Sequence, residues 1–289
     1  MRPIELNELP RYTSRVQELI GAASTKRPKN RQEITREFGL DKWGGLLAQW
    51  RANPCGVDGV RGLQTTSDAA QAGMIDGQLI SMTPAESLES QVDAVERVLL
   101  VDPSRHLVEI GCGYGPILFE LLRRDRVEYD SILGIEFTEQ GVELARCLAK
   151  WHEYGNRLCF HQGDFTVARI TDAVLPRQSD VLTSFALSYV SDMSQALLNI
   201  VRLEPRRVIH FEPVSQDFDD RTLLGMLQRR YVELNDYNAG LKEELARLER
   251  EGTIELLAEY PLIWGGNCLS PLSCLVWQPR IGADAHSGV

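Results

Sequence analysis

Long apolar runs are missing from this chain. No stretch of about 18 apolar residues occurs, so no segment reads as a membrane-spanning helix. Metal-ligand spacing is missing too. The six cysteines (Cys55, Cys112, Cys147, Cys159, Cys268, Cys274) include no C-x-x-C pair and stand at no ligand spacing with the five histidines. No metal site is expected, and several of these thiols fall in apolar patterns where a free cysteine acts as a small hydrophobe. Positive charge is short: 31 Lys and Arg face 41 Asp and Glu, a net charge of −10. An acidic chain without a basic stripe is a poor partner for nucleic acid, whose binding rests on neutralising phosphates. The one basic run, Lys26–Arg31, is short and reads as a solvated loop. The opening Met1–Glu8 lacks the apolar core of a signal peptide, so the expected location is cytoplasmic. Low-complexity segments and solenoid-period repeats are likewise absent. What remains is a chain 43% hydrophobic and 25% charged, ordinary for a globular protein with one large domain and appendages.

The stretch around which the chain is organised is Leu107-Val108-Glu109-Ile110-Gly111-Cys112-Gly113-Tyr114-Gly115-Pro116-Ile117-Leu118. It reads as a buried strand, a glycine turn and the first turn of a helix. Pro116 suits the first helical position, where its missing N–H costs nothing. Ile117, Leu118, Leu121 and Leu122 then recur at helical spacing. The free N–H groups and positive dipole end of such a helix suit a ligand with a negative end. A dinucleotide fingerprint would need glycine or alanine where Pro116 stands, so that match fails.

Downstream of the turn, strands and amphipathic helices alternate. Strands are expected at Ser131–Glu136, Arg157–His161, Asp180–Phe185 and Arg207–Phe211, with helices over 116–124, 138–151 and about 192–203. This pattern argues a parallel sheet with helices on both faces and a ligand beyond the strands' C-terminal ends. Ile254–Ile263 and Leu272–Trp277 close the chain as an antiparallel pair. Two helices, broken at Asn235–Gly240, fill an insertion over about 216–251. Upstream, Thr83-Pro84-Ala85-Glu86 starts a helix with a capping box. Residues 1–85 read as a helical extension or lid: Arg15–Ile20 stops at Gly21, Ile34–Phe38 stops at Gly39, and Asp41 caps Lys42–Trp50. Asn53–Met82 reads as loop. Residues 86–280 form the main domain and 281–289 a frayed tail.

Two further signals follow the glycine turn at one strand–helix interval each. Glu136 ends the second strand 21 residues after Gly115, where a carboxylate can accept both hydroxyls of a ribose. His161-Gln162-Gly163-Asp164-Phe165 follows the third strand, with Asp164 able to accept from an exocyclic amine beside the Phe165 ring. In series, Glu109–Gly115, Glu136–Phe137 and Gly163–Phe165 resemble the ligand motifs of the class I S-adenosylmethionine-dependent methyltransferases, over roughly residues 100–280. The resemblance implies a doubly wound, seven-stranded, mostly parallel sheet of Rossmann-like type. It implies S-adenosylmethionine as cofactor and S-adenosylhomocysteine as product. By resemblance Glu109, Gly111, Gly113 and Gly115 hold the methionine portion, Glu136 the ribose, and Asp164 and Phe165 the adenine, with Phe137 and Phe185 also at the cofactor.

The segment Thr183–Tyr189 lacks the Asp/Asn-Pro-Pro-aromatic sequence that marks amino-methylation of bases or glutamine in the family. The expected reaction is therefore methyl transfer to an oxygen or nitrogen of a small-molecule acceptor, with natural-product or secondary metabolism a candidate setting. His210 and Glu212, at the end of the fifth strand, are the candidate catalytic residues. Tyr189, Tyr231, Tyr237 and Asn267 are candidates to line the acceptor pocket. Aminopropyl transfer on the same fold and a non-catalytic module binding the donor or its product are the alternatives. No nucleic acid or membrane partner is expected, and a second copy of the chain is a candidate partner.

Overall fold

The computed structural model describes residues 1–13, 16, 19, 31–64, 68–235, 237 and 240–280. Among the described residues, ten strands form one sheet. Strand β1 is Arg2–Pro3, β2 Gln71–Ile75, β3 Gln78–Met82, β4 His106–Ile110 and β5 Ser131–Glu136. Then come β6 (Leu158–Gln162), β7 (Asp180–Ser184), β8 (Arg207–Glu212), β9 (Ile254–Gly265) and β10 (Leu272–Pro279). Their spatial order is β1-β3-β2-β9-β10-β8-β7-β4-β5-β6. The five strands from β4 to β8 are parallel, and β10 enters antiparallel between β8 and β9. Chain order reverses between β4 and β7, which opens the crevice at the C-terminal end of β4, where the glycine turn sits.

The α-helices with described bounds are α1 (Arg31–Thr35), α2 (Gly45–Ala52), α3 (Val57–Gln64), α4 (Pro84–Leu99), α5 (Pro116–Arg124), α6 (Glu139–Trp151), α7 (Met193–Val201), α8 (Leu223–Leu234) and α9 (Leu241–Arg250). One sheet face buries Leu107, Leu182 and Ile209 under α4, α5 and α6. The other buries Val108, Val181 and Val208 under α7 and α9. Strand alternation sorts these neighbours to opposite faces, and each fully buried aliphatic side chain contributes about 1.5–3 kcal/mol. The expected capping box is present: Thr83 Oγ1 accepts from the Glu86 N–H at 3.2 Å, and Glu86 Oε2 accepts from the Thr83 N–H at 2.8 Å.

The seven expected strands are one end of a larger sheet, extended beyond β9 by three strands from residues 1–85, which corrects the expected strand count. Asn53–Met82, read as loop, contains α3 and the hairpin β2–β3. That hairpin turns on Asp76 (φ 47°) and Gly77 (φ 76°), the two left-handed residues of a tight turn that Asp-Gly favours. β2 pairs with the end of β9 through Met74–Gly265 and Ile75–Trp264, and β1 pairs with β3. The second correction concerns Gly39 and Asp41, which neither stop nor start a helix. The chain passes from α1 to α2 through the wide π-type turns of Arg36–Gly44. A Cβ on Gly39 would stand 3.2 Å from the Gln140 side chain, so this glycine permits close packing on α6. Most of the expected helix at Arg15–Ile20 and of the basic run 26–31, parts of the break at 235–240 and the tail 281–289 lie outside the described residues. Among the described residues, no helix is long and apolar enough to cross a membrane.

Candidate active site

A cavity of about 390 Å³ opens above the C-terminal ends of the parallel strands. Gly111 and Gly113 form one wall, and both have positive φ. Gly113 (φ 58°) could not carry a side chain in any case, because its Cβ would stand 2.7 Å from the Trp43 indole. Gly115 (φ 82°) lies outside the lining and serves packing, since a Cβ there would meet the Phe160 ring at 2.7 Å. Its left-handed backbone turns the chain into α5, with Pro116 first in the helix.

Glu109 is the most informative group in the cavity. It is 3% exposed, lines the cavity, and its Oε2 atom has no hydrogen-bond partner in the protein. Burial, with the charge of Glu136 second, pushes its carboxyl up to about 8. An unpartnered buried carboxylate oxygen is costly, and a cationic ligand group would relieve it.

Glu136 also lines the cavity, at the end of β5. One carboxylate oxygen accepts from the Thr138 N–H at 3.0 Å and the Thr138 hydroxyl at 2.7 Å, and the other from the Gly113 N–H at 3.0 Å. Burial raises its carboxyl, and those bonds oppose the shift. Asp164, Phe165, Phe137 and Phe185 line the cavity as well. Asp164 accepts from the Thr166 N–H at 2.9 Å and pairs with Arg31.

The cavity is roofed by residues whose role was invisible in the sequence. Arg31 lies over the Phe137 ring at 5.0 Å, Phe38 meets Phe137 and Tyr189 edge-on, and Lys42 lies 4.3 Å from the Trp43 ring centre. All four belong to the segment from α1 through the π-type turns. Trp43 was legible only as part of an apolar helix face, and its contact with Gly113 is a long-range one. Gln91, Trp264 and Ser270 join the lining without any motif to mark them, alongside Tyr189, Tyr231, Tyr237 and Asn267.

His210 and Glu212, the candidate catalytic residues, stand outside the residues that line the cavity. His210 is fully buried, and burial holds its imidazole down to about 3, so it is neutral. The Trp277 indole N–H donates to its Nε2 at 2.9 Å, which leaves the ring proton on Nδ1, 2.8 Å from the Thr183 hydroxyl. That hydroxyl donates in turn to Glu212 Oε1 at 3.0 Å. The same oxygen accepts from the Ala186 N–H at 2.9 Å and the Leu187 N–H at 3.1 Å. Glu212 thus braces the loop after β7, including Phe185 with its left-handed φ of 53°. That loop carries Phe185, Ala186 and Tyr189 into the cavity wall. Both residues act on the site from behind.

Residues 102–241 match a family model described as a methyltransferase domain. The carboxy-S-adenosyl-L-methionine synthase of Wolinella succinogenes is 27% identical over 67% of this chain and 78% of its own length. Residues 102–241 form a methyltransferase domain, similar to those that use S-adenosylmethionine. Solved structures agree on the fold. The methyltransferase superposes on the cyclase SpnF with a TM-score of 0.54 at 15% identity, over 90% of this chain and all of that one. On the Synechocystis PCC 6803 magnesium protoporphyrin IX methyltransferase with bound S-adenosylmethionine it scores 0.51 at 14% identity, over 89% of this chain and all of that one. The enzyme's cofactor is S-adenosylmethionine. The donor set of this methyltransferase fits that molecule, which has a cationic amino group to meet Glu109 and ribose hydroxyls to meet Glu136.

Proposed function

We propose that the enzyme moves a methyl group from S-adenosylmethionine to an oxygen or nitrogen of a small-molecule acceptor, as a cytoplasmic protein without a nucleic-acid or membrane partner. The observation that carries this reading is the unpartnered carboxylate oxygen of Glu109 in a cavity roofed by Arg31, Phe38, Lys42 and Trp43. A roofed cavity suits a small acceptor better than a macromolecule. In this reading Glu109 takes the donor's amino group, Gly111 and Gly113 let the backbone approach its methionine portion, and Glu136 accepts from the ribose. Asp164 and Phe165 face the adenine, with Phe137 and Phe185 closing around the donor. Bound there, the cofactor supplies a methyl group already activated on a sulfonium. The protein's contribution is then to hold acceptor and donor in line and to exclude water, which supplies most of the acceleration such a transfer needs.

The test is calorimetric titration with S-adenosylhomocysteine. Glu136→Ala removes a charged hydrogen-bond acceptor and should weaken binding by about 1–3 kcal/mol. Unchanged affinity would refute the ribose assignment. Turnover is read separately, as S-adenosylhomocysteine formed from S-adenosylmethionine with candidate acceptors. Donor binding with no product for any acceptor would favour a module that binds without transfer.

A further inference from the structure

We propose that the end of the cavity at the β9–β10 turn is an acceptor subsite for a flat aromatic molecule carrying a hydrogen-bonding oxygen or nitrogen, and that the Ser270 hydroxyl is its polar contact. The proposal rests on the donor assignment above and adds the class of acceptor and a residue that recognises it.

Topology separates the two ends. The donor residues follow β4, β5 and β6, on one side of the point where strand order reverses. Ser270 precedes β10, whose first residues pair with the end of β8 through Ser273–Glu212, so the turn lies at the same edge of the sheet but on the other side of that point. Ser270 is 6% exposed, lines the cavity, and its Oγ has no hydrogen-bond partner. Buried hydroxyls are satisfied as a rule, and one left over in a cavity wall marks where a ligand completes the bonding. The turn that presents it is firmly held. Gln228 of α8 donates to the Cys268 carbonyl at 2.8 Å, the Cys268 N–H reaches the Ala72 carbonyl of β2 at 3.0 Å, and the Leu269 N–H reaches Asn267 Oδ1 at 3.0 Å.

The neighbouring wall is aromatic, and its polar atoms are already engaged. Tyr237 packs edge-on against Phe185 at 5.2 Å and Tyr189 at 5.4 Å between ring centres, and lies 6.2 Å from Tyr231. Its hydroxyl bonds with those of Tyr189 and Tyr231. The Trp264 indole N–H is donated to Ser90 Oγ at 2.9 Å. What these side chains offer a ligand is ring surface, which favours a flat, polarisable partner in stacked or edge-on contact.

The experiment uses the full-length protein saturated with S-adenosylhomocysteine, titrated calorimetrically with 2-naphthol and with cyclohexanol as the non-aromatic control. We expect 2-naphthol to bind at least ten-fold more tightly than cyclohexanol. Ser270→Ala should bind 2-naphthol about five- to ten-fold more weakly, the loss of one buried hydrogen bond, with S-adenosylhomocysteine affinity unchanged. Equal binding of the two probes would overturn the aromatic class. Unchanged 2-naphthol affinity in Ser270→Ala would overturn the contact. Loaded protein that ignores 2-naphthol would overturn the subsite alone, whereas failure of the wild type to take up S-adenosylhomocysteine would overturn the donor assignment beneath it.

Discussion

If Glu109 holds the donor's ammonium group, binding must depend on pH in a way that the buried carboxylate dictates. Burial and the neighbouring Glu136 hold its carboxyl at about 8, so near pH 7 the ligand-free protein keeps it largely protonated. Only the ionised form pairs with an ammonium. Binding at pH 7 therefore releases close to one proton, and affinity should rise about ten-fold per pH unit from pH 6 until the pH nears that value. Above it the gain stops, and the ligand's own amino group begins to lose its charge, so the profile is a bell. Glu109→Gln keeps the shape, removes the titration and should flatten the rising limb. Calorimetric titration with S-adenosylhomocysteine in buffers of different ionisation enthalpy counts the proton directly, and repeating it from pH 6 to 9 gives the profile. A flat wild-type profile with no proton release would refute the assignment. So would a Glu109→Gln variant that still shows the rising limb, since some other group would then carry it.

Two further perturbations follow from the same geometry. Gly113→Val puts a branched side chain at φ 58° with its Cβ 2.7 Å from Trp43, and should abolish donor binding while circular dichroism still reports a folded chain; retained binding would show that this wall is not the donor's. Glu212, fully buried and raised to about 7, keeps its proton in the folded state where the unfolded chain has lost it. Folding stability from this group is therefore present below about pH 4.5 and declines through about pH 7, by about 3 kcal/mol. Denaturant unfolding at pH 5 and pH 8 should show Glu212→Gln gaining on the wild type by about that amount, and a pH-independent difference would mean that Glu212 stays ionised throughout.

The parallel half of the fold was legible because its signals are local. Glu109 to Pro116 is strand, left-handed turn and helix start written in adjacent residues. Glu136 and Asp164 then recur at the intervals that strand and helix lengths impose. Each of these side chains does line the cavity, whereas Gly115, in the same motif, supports it through Phe160. Sequence position could not separate those two uses of glycine, because the neighbour that decides is 45 residues away. His210 and Glu212 stand outside the lining for the opposite reason. A strand end places a residue at the right height, but the pleat decides which way it faces. Only pairing with Thr183 and Trp277 reveals that these two point into the protein.

The N-terminal segment shows how a long-range fit hides from local reading. Gly39 looks like a helix stop, yet the chain runs past it, because wide turns let it lie against α6 and carry Phe38 and Trp43 over the cavity. The Asp76-Gly77 hairpin was the one local clue that this region holds strands, and its arms find their partners far off in sequence, β2 at the far end of β9 and β3 along β1. The same hairpin supplies the Ala72 carbonyl that anchors the turn bearing Ser270. The segment that resisted sequence reading therefore does two things for the site: it roofs the cavity with Phe38 and Trp43, and it fixes the turn that carries the unpartnered serine. In the proposed reading, acceptor recognition is built largely from parts outside the donor motifs, which would explain why those motifs say nothing about the acceptor.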